Sequence, residues 1–170
     1  MTAVLLGTME TPVGTLSVAA HGERVCLVHF GAAADQVRKT LSTWYPGASI
    51  RDARDPAGAV AVLRRYFEGD LECLEEIEVE LHGTPFQRDV WLALRTVKAG
   101  TTKSYAQLAA QVGMPAAVRA VGAANGANPV AVVLPCHRII GSNGSLTGYG
   151  GGLDRKRWLL DHEGVKRTLF

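Results

Sequence analysis

One cysteine in the C-terminal third of the chain carries the strongest chemical signal. Cys136 lies in the sequence Pro-Cys-His-Arg (135–138), directly after the apolar run 130–134. The apolar run predicts a buried strand, and proline cannot donate to a strand ladder, so regular structure should end at the cysteine. A nearby histidine and arginine would favour the thiolate, which is the nucleophilic form of cysteine. Cys136 is therefore a candidate nucleophile.

The same residues also fit a simpler role. Free cysteine is among the most buried residue types and often only fills space in a core. In an extended strand, Cys136 and His137 would point to opposite faces and could not touch. Catalysis by this pair therefore requires a bend in the chain or a water molecule between the two side chains.

Length and composition limit the classes of protein. The 170 residues are enough for one large domain or two small ones. Three cysteines without C-x-x-C spacing argue against a disulfide framework or a zinc ribbon. We find no P-loop or dinucleotide fingerprint, no signal peptide and no apolar stretch long enough for a bilayer. We expect a soluble cytoplasmic protein with no metal, no cofactor and no membrane partner.

Charge divides the chain into two different halves. Residues 1–83 contain 7 Lys and Arg against 12 Asp and Glu, a net charge of −5. Residues 84–170 contain 11 against 4, a net charge of +7. Clustered cations usually serve to neutralise phosphates, so the second half is a candidate for binding a polyanion, although a merely soluble basic surface would look the same.

The first half predicts a small α/β domain over residues 1–83. Residues 4–30 alternate apolar runs with turn residues, which predicts a β-meander. Helices are predicted over residues 33–44 and from Pro56 to Gly69. Glutamates alternate with apolar residues over 76–81, which predicts a half-buried strand with an acidic outer face.

The second half, residues 84–170, has a helical pattern. A first helix is predicted over residues 84–100, beginning at Thr84-Pro85. Ser104 and Gln107 then form an S-x-x-Q capping box, which places Tyr105 at the first position of a short helix.

Two short helices over residues 105–113 and 115–126 predict a helix-turn-helix. The second helix consists almost entirely of small residues, and Arg119 is its only long side chain. Such a surface could lie against a nucleic-acid backbone, or it could pack closely against another helix. The pattern alone leaves both interpretations open.

Beyond the cysteine, a glycine-rich loop predicts a pocket wall. Residues 143–152 contain most of these glycines, and Asp154 is a candidate N-cap for a final helix that carries Trp158 and Glu163. The other cysteines and the tryptophans are predicted to be core residues, namely Cys26, Cys73, Trp44, Trp91 and Trp158.

Short motifs occur in a fixed order through the second half. They are Gly83-Thr84-Pro85-Phe86-Gln87, Val90-Trp91, Ser104-Tyr105, Arg119-Ala120-Val121-Gly122, Asn128-Pro129, Pro135-Cys136-His137-Arg138, Gly148-Tyr149, Lys156, Trp158-Leu159-Leu160 and His162-Glu163-Gly164. This set resembles the O6-alkylguanine-DNA alkyltransferases, also called methylated-DNA–protein-cysteine methyltransferases. The first half is less diagnostic, although Thr11-Pro12-Val13-Gly14 and Tyr66-Phe67-Glu68-Gly69 are similar to the N-terminal domain of that family.

The resemblance implies an α+β protein of two domains. The N-terminal domain would be a ribonuclease-H-like α/β unit, and the C-terminal domain would be mainly helical with a helix-turn-helix. The activity would be direct DNA repair by a single-turnover methyltransferase, in which Cys136 takes the alkyl group from O6 of guanine and keeps it as a thioether. The sequence leaves activity at O4 of thymine open.

The resemblance also implies roles for individual residues. His137 would act as the base through water, Glu163 would orient it, and Asn128 would brace the turn around the cysteine. Tyr105 would donate a proton to the leaving guanine. The pocket would be lined by Tyr149, Gly150, Ile139 and Gly122, with the Gly150 N–H serving O6 and the carbonyls of Cys136 and Ile139 serving the exocyclic amine.

The implied partner is double-stranded DNA carrying O6-alkylguanine, bound through the minor groove by a monomer. O6 lies inside a base-paired duplex, so the nucleotide would have to be turned out into the pocket. Arg119 would fill the gap that the nucleotide leaves in the stack. The implied DNA-binding residues are Ser104, Arg119, Ala120, Gly122 and Asn125.

Two positions depart from the family pattern. Gly150 stands where relatives often carry serine, which removes a hydroxyl and would widen the pocket. The zinc ligands of some relatives are not reproduced by Cys26, His29, Cys73 and His82.

Three other classes compete with this hypothesis. A non-enzymatic lesion-binding relative would lack the nucleophilic cysteine. A Cys-His hydrolase could use Cys136, His137 and Glu163 as a triad but would not explain Arg119. A transcriptional helix-turn-helix would use base-reading side chains instead of an alanine-rich helix.

Overall fold

The computed structural model describes residues 2–32 and 34–165, and these residues form two compact units. The first unit extends to His82 and also includes Pro129–Val133. The second comprises Gly83–Asn128 and the chain from Leu134 onward. The sequence predicts one boundary, at residue 83. In the structure, residues 129–133 also belong to the first unit.

The first unit is built on a four-stranded sheet with the strand order β3-β2-β1-β4. Strands β1 (Val4–Thr11), β2 (Gly14–His21) and β3 (Arg24–Phe30) pair antiparallel, which confirms the predicted meander. Strand β4 (Ile50–Asp52) adds to β1 in parallel. The meander forms because an apolar run fills each strand and Gly14 and Gly22 supply the positive φ that the tight turns require.

Two helices and two 3₁₀ turns complete the first unit. Helix α1 (Ala34–Trp44) has the predicted position, although residue 33, its predicted start, lies outside the described residues. Helix α2 (Ala59–Phe67) begins after a 3₁₀ turn at Pro56–Gly58, and the other 3₁₀ turn is Cys73–Glu76. The core packs Val4, Leu6, Ala19, Cys26, Leu27, Val37, Leu41 and Tyr45 together. Burial of Cys26 and Cys73 confirms them as core residues.

The acidic strand predicted over residues 76–81 is wrong. This segment makes one isolated bridge, between Val79 and Val25, and otherwise follows an irregular path. Glu80 does not belong to a solvated face, because its carboxylate accepts hydrogen bonds from Tyr45 Oη at 2.9 Å and pairs with His21 Nδ1 at 2.9 Å. The backbone of this segment pairs with Val25, whose N–H donates to the Glu78 carbonyl and whose carbonyl accepts from the Glu80 N–H, both at 2.9 Å.

The second unit is mainly helical, as predicted. It contains α3 (Pro85–Leu94), α4 (Tyr105–Gln111), α5 (Val118–Gly126) and α6 (Leu153–His162). Two short parallel strands, β5 (Lys103–Ser104) and β6 (Ile139–Ile140), pair beside them. The fold class predicted from the sequence, α+β with a helical second half, is confirmed.

Several helix ends differ from the predictions. Helix α3 stops at Leu94 instead of Gly100, and α5 begins at Val118 because residues 115 and 116 form a turn. Helix α6 begins after Gly152, so Asp154 lies within its first turn and is not the N-cap. Trp91 is buried in the core as predicted, whereas Trp158 is half-buried and stacks on His162. None of the helices in the described part of the chain is long and apolar enough to cross a bilayer.

Candidate active site

The chain reaches Cys136 through a buried turn. The apolar run 130–134 is buried as predicted, but it makes one bridge, from Val130 to Val28, and then turns, so the predicted strand is wrong. Val132 has a φ of 71°, which no extended strand contains. Asn128 donates from Nδ2 to the Leu134 carbonyl at 2.7 Å and secures the end of this turn.

Cys136 itself begins a single 3₁₀ turn, Cys136–Arg138, that leads into β6. This turn removes the alternation of a strand, which was the geometric objection to a joint role for Cys136 and His137. Both side chains are buried, with Cys136 7% and His137 0% exposed. The chain therefore bends at Cys136 and His137, which is one of the two conditions under which this pair could act together.

His137 and Glu163 form a buried pair. The two side chains meet through Nε2 and Oε2 at 2.9 Å, and Glu163 lies at the C-cap of α6. Burial lowers the pKa of His137, against the opposing effect of Glu163, so the imidazole is neutral at physiological pH. A carboxylate only accepts hydrogen bonds, so Nε2 carries the proton and Nδ1 keeps a lone pair. Among the described residues, Nδ1 is buried and has no hydrogen-bond partner.

Arg138 locks the same carboxylate in place. Its Nε donates to Glu163 Oε1 at 2.9 Å and its Nη2 to Oε2 at 2.8 Å, while Nη1 donates to the Val97 carbonyl at 2.6 Å. Although burial opposes ionisation, His137 and Arg138 hold the pKa of Glu163 far below its usual range. The charge of Arg138 is thus neutralised inside this network.

The cation that acts on Cys136 is not the one predicted. Burial raises the pKa of Cys136, and the opposing effects come first from a hydrogen bond with Asn128 and then from the charge of Lys156, with Tyr149 also contributing. His137 is neutral and Arg138 is paired with Glu163, so neither supplies the positive charge that their sequence positions suggested. Lys156 has this role instead.

Lys156 is the least expected residue of the site. Its side chain is completely buried in α6, and burial lowers its pKa to about 8. Nζ donates to the carbonyls of Ile139 at 2.6 Å, Thr147 at 2.9 Å and Gly148 at 3.4 Å. A lysine between Arg155 and Arg157 carries no sequence signal for such burial, apart from its place in the motif set.

Tyr105 lies at the start of α4, as the capping box predicted. Ser104 accepts from the Gln107 N–H at 3.0 Å, and the Gln107 side chain accepts from the Ser104 N–H at 2.8 Å. The Tyr105 hydroxyl donates to the Thr147 carbonyl at 3.0 Å. Burial raises the pKa of Tyr105, so it keeps its proton at neutral pH and can act as a donor.

The predicted pocket residues surround these groups. Gly122 approaches Tyr105 so closely that an added Cβ would lie 3.7 Å from Cδ1 of the ring. At Gly150, which is exposed, an added Cβ would lie 3.8 Å from the Gly126 carbonyl oxygen. The Ile139 carbonyl already accepts from Lys156, and the Cys136 carbonyl accepts from the Ile139 N–H. The Ile139 carbonyl retains a second lone pair for a ligand, whereas the Cys136 carbonyl also accepts a long bond from Asn125 Nδ2 at 3.5 Å, which a ligand would have to replace.

The predicted DNA-binding residues separate into two groups. Arg119 and Ala120 are exposed on α5, while Gly122 on the same helix and the N-cap Ser104 are half-buried. Asn125 is only 4% exposed, and its Nδ2 donates to the Cys136 carbonyl at 3.5 Å. The prediction that Asn125 contacts DNA therefore conflicts with its burial, and we place it beneath the cysteine turn.

The sequence predicts no metal site at the four candidate ligands Cys26, His29, Cys73 and His82. Within residues 2–32 and 34–165, no group of three or more His, Cys, Asp or Glu side chains is arranged to hold a metal ion.

Both units match family models. Residues 4–81 match the ribonuclease-like domain of 6-O-methylguanine DNA methyltransferases, and residues 85–165 match the DNA-binding domain. The chain is 46% identical over 167 residues to a methylated-DNA–protein-cysteine methyltransferase from Salmonella typhimurium, covering 96% of this chain and 98% of that protein. It is 45% identical over 156 residues to one from Mycobacterium tuberculosis, covering 92% and 90% of the two chains.

Solved structures agree with these matches. The crystal structure of the Mycobacterium tuberculosis O6-methylguanine methyltransferase has a TM-score of 0.79 at 41% identity, covering 94% of this chain and 92% of that one. A Mycobacterium tuberculosis OGT crystallised in complex with DNA has a TM-score of 0.79 at 40% identity, with the same coverage. The agreement of both domain models, the full-length relatives and the structures shows that this chain belongs to the 6-O-methylguanine DNA methyltransferase family.

Proposed function

We propose that this chain repairs DNA directly, by transferring an alkyl group from O6 of guanine to Sγ of its own Cys136. The observation that carries the proposal is the buried thiol of Cys136 at the start of a 3₁₀ turn, followed in the chain by a neutral imidazole whose Nε2 donates to Glu163 at 2.9 Å. Asn128 and the charge of Lys156 oppose the rise in the pKa of this thiol that burial causes. Family membership and the DNA-bound relative support DNA as the partner.

The reaction is a single in-line displacement. The thiol proton passes through water to Nδ1 of His137, whose Nε2–H already donates to Glu163. The thiolate attacks the alkyl carbon, so a C–S bond forms while the bond from that carbon to O6 breaks. The leaving guanine takes a proton from the Tyr105 hydroxyl, and the resulting imidazolium and phenolate then neutralise each other through solvent. The thioether is stable, so each molecule reacts once.

Individual residues have defined tasks in this scheme. Asn128 and Tyr149 lower the pKa of the Cys136 thiol against the effect of burial, and Glu163, held by Arg138, keeps the proton on Nε2 of His137. The Gly150 N–H serves O6, and the carbonyls of Cys136 and Ile139 serve the exocyclic amine, with the long Asn125 bond to Cys136 giving way to the ligand. The pocket residues are those predicted from the sequence: Gly122, Ile139, Tyr149 and Gly150.

DNA binding uses the second domain, residues 84–170, while residues 1–83 form its N-terminal partner domain. We propose that α5 enters the minor groove of a duplex as a monomer, with the small residues at the surface of the helix allowing a close approach. Arg119 takes the place of the everted nucleotide, and the contacts of Ser104, Ala120 and Gly122 are sequence-independent. The protein acts in the cytoplasm.

Intact-protein mass spectrometry tests the transfer. After incubation with an oligonucleotide duplex containing O6-methylguanine, the protein should gain about 14 Da, one methylene, located by peptide mapping on Cys136. The variant Cys136→Ala should gain nothing and should still bind the duplex, and Cys73→Ala is the matched control that reacts normally. Turnover beyond one equivalent of substrate, or a label on another residue, would overturn the proposal.

A further inference from the structure

Lys156 is a buried cation whose charge acts on Cys136, but the proposed reaction assigns no role to its hydrogen bonds. Its ammonium is enclosed by three backbone carbonyls, those of Ile139, Thr147 and Gly148. An ammonium has three N–H donors and no acceptor, so these contacts use its full donor capacity. Burying a lysine is costly, and a charge retained in such a place requires this complete set of partners.

The Thr147 carbonyl is shared between two donors. It accepts from Lys156 Nζ at 2.9 Å and from the Tyr105 hydroxyl at 3.0 Å. A carbonyl oxygen has two lone pairs and can accept both bonds at once. In this structure, therefore, the proton that Tyr105 would give to the leaving guanine is held by Thr147.

Proton donation requires Tyr105 to give up this bond. If Tyr105 were the only donor, its departure would leave the Thr147 carbonyl without a hydrogen-bond partner in the protein, which opposes release of the tyrosine. With Lys156 still bonded to Thr147, the carbonyl remains satisfied. The free energy needed to release the tyrosine is correspondingly smaller.

We propose that Lys156 is a positioning residue for alkyl transfer: it keeps the Thr147 carbonyl hydrogen-bonded, so that the Tyr105 hydroxyl can leave Thr147 and donate its proton to the departing guanine. The inference rests on the proposed function, because it presupposes that Tyr105 is the proton donor. Nζ of Lys156 also links the carbonyls of residues 147 and 148 to that of Ile139, which keeps the Thr147 carbonyl in place while the Tyr105 side chain rotates.

A double-mutant cycle tests this inference. Single-turnover rates with free O6-benzylguanine are measured for the wild type, Tyr105→Phe, Lys156→Met and the double variant. Loss of a general acid should slow the wild-type reaction about 10²-fold in Tyr105→Phe. In the Lys156→Met background the tyrosine is already trapped on Thr147, so the same change should cost less than about threefold.

Multiplicative losses would overturn the inference. A lysine that only stabilises the fold would slow the reaction without changing the factor that Tyr105→Phe costs, and the two effects would multiply. Lys39→Met, at an exposed position of α1, is the matched control and should leave both factors unchanged. Circular dichroism verifies the fold of each variant, and Lys156→Gln replaces Lys156→Met in the cycle if the latter fails to fold.

A measurement on the unaltered protein covers the case in which both lysine variants fail to fold. An ammonium enclosed by three carbonyls should exchange its protons slowly and give a visible ζ-¹⁵N lysine resonance at neutral pH, and absence of such a resonance would overturn the inference. Failure of the proposed function would be a separate result, because the wild type itself would then not transfer the benzyl group to Cys136.

Discussion

The reactivity of Cys136 depends on a balance between burial and a small number of polar contacts. Burial alone raises the pKa of the thiol and would leave it inert, while Asn128, Lys156 and Tyr149 act in the opposite direction. The motif around the cysteine predicts its neighbours in sequence but not this balance. It assigns the positive charge to His137 and Arg138, whereas the folded chain neutralises both and brings Lys156 from α6.

Asn128 gives the most direct test of this balance. In Asn128→Ala the thiolate loses a charge-assisted hydrogen bond, so the pKa of Cys136 should rise and its reaction at pH 7 should slow about tenfold or more. The pH dependence of iodoacetamide labelling of Cys136, followed by peptide mass, should shift its midpoint to higher pH.

Asn143→Ala is the matched control, because Asn143 is exposed and hydrogen-bonds Ser145 rather than the cysteine turn. It should leave the midpoint unchanged. An unchanged midpoint in Asn128→Ala as well would show that the amide does not stabilise the thiolate.

At the scale of elements, sequence patterns predicted helix starts better than irregular paths. The Ser104 capping box was readable because a hydroxyl and a glutamine three residues apart satisfy backbone N–H groups at a helix start. At Thr84 the sequence predicted only a helix start, and the structure shows that Thr84 and Gln87 form a second capping box there. The run before the cysteine was not readable in the same way. Five apolar residues indicate burial, but a buried turn with Val132 at positive φ needs tertiary contacts that no local pattern encodes.

The two capping boxes provide a matched pair of variants. Ser104→Ala and Thr84→Ala each remove an N-cap side chain and should each lower the free energy of unfolding by about 1 kcal/mol, measured by urea denaturation. Only Ser104 is next to Tyr105, so only Ser104→Ala should also slow reaction with free O6-benzylguanine. Equal rates for the two variants would mean that the α4 cap does not position the tyrosine.

At the scale of the whole molecule, the uneven charge along the chain explains why the proposed DNA partner belongs to residues 84–170. The chain as a whole has a net charge of only +2, so its average composition conceals this division. The sequence predicted the division because charge can be counted without a structure. It could not predict which of these cations are internally paired, and the structure removes Arg138 and Lys156 from those available to phosphates.

Salt should therefore affect the two substrates very differently. Binding to duplex DNA releases counterions, so the logarithm of the association constant should fall linearly with the logarithm of salt concentration between roughly 50 and 200 mM. Reaction with free O6-benzylguanine involves no phosphate and should change less than about twofold over this range. Arg119→Ala should weaken duplex binding, because Arg119 takes the place of the everted nucleotide, and should reduce the magnitude of the salt slope by up to about 1, because one cation leaves the DNA interface.

Arg24→Ala provides the control within residues 1–83, since Arg24 lies beside Glu78 in the acidic part of the chain. Its salt slope should equal that of the wild type, measured by fluorescence anisotropy on the same duplex. If Arg24→Ala and Arg119→Ala changed the slope equally, phosphate binding would be spread over both domains, and the assignment of DNA binding to residues 84–170 would fail. A slope changed only by Arg119→Ala would locate the DNA interface on α5, within the same unit as Cys136.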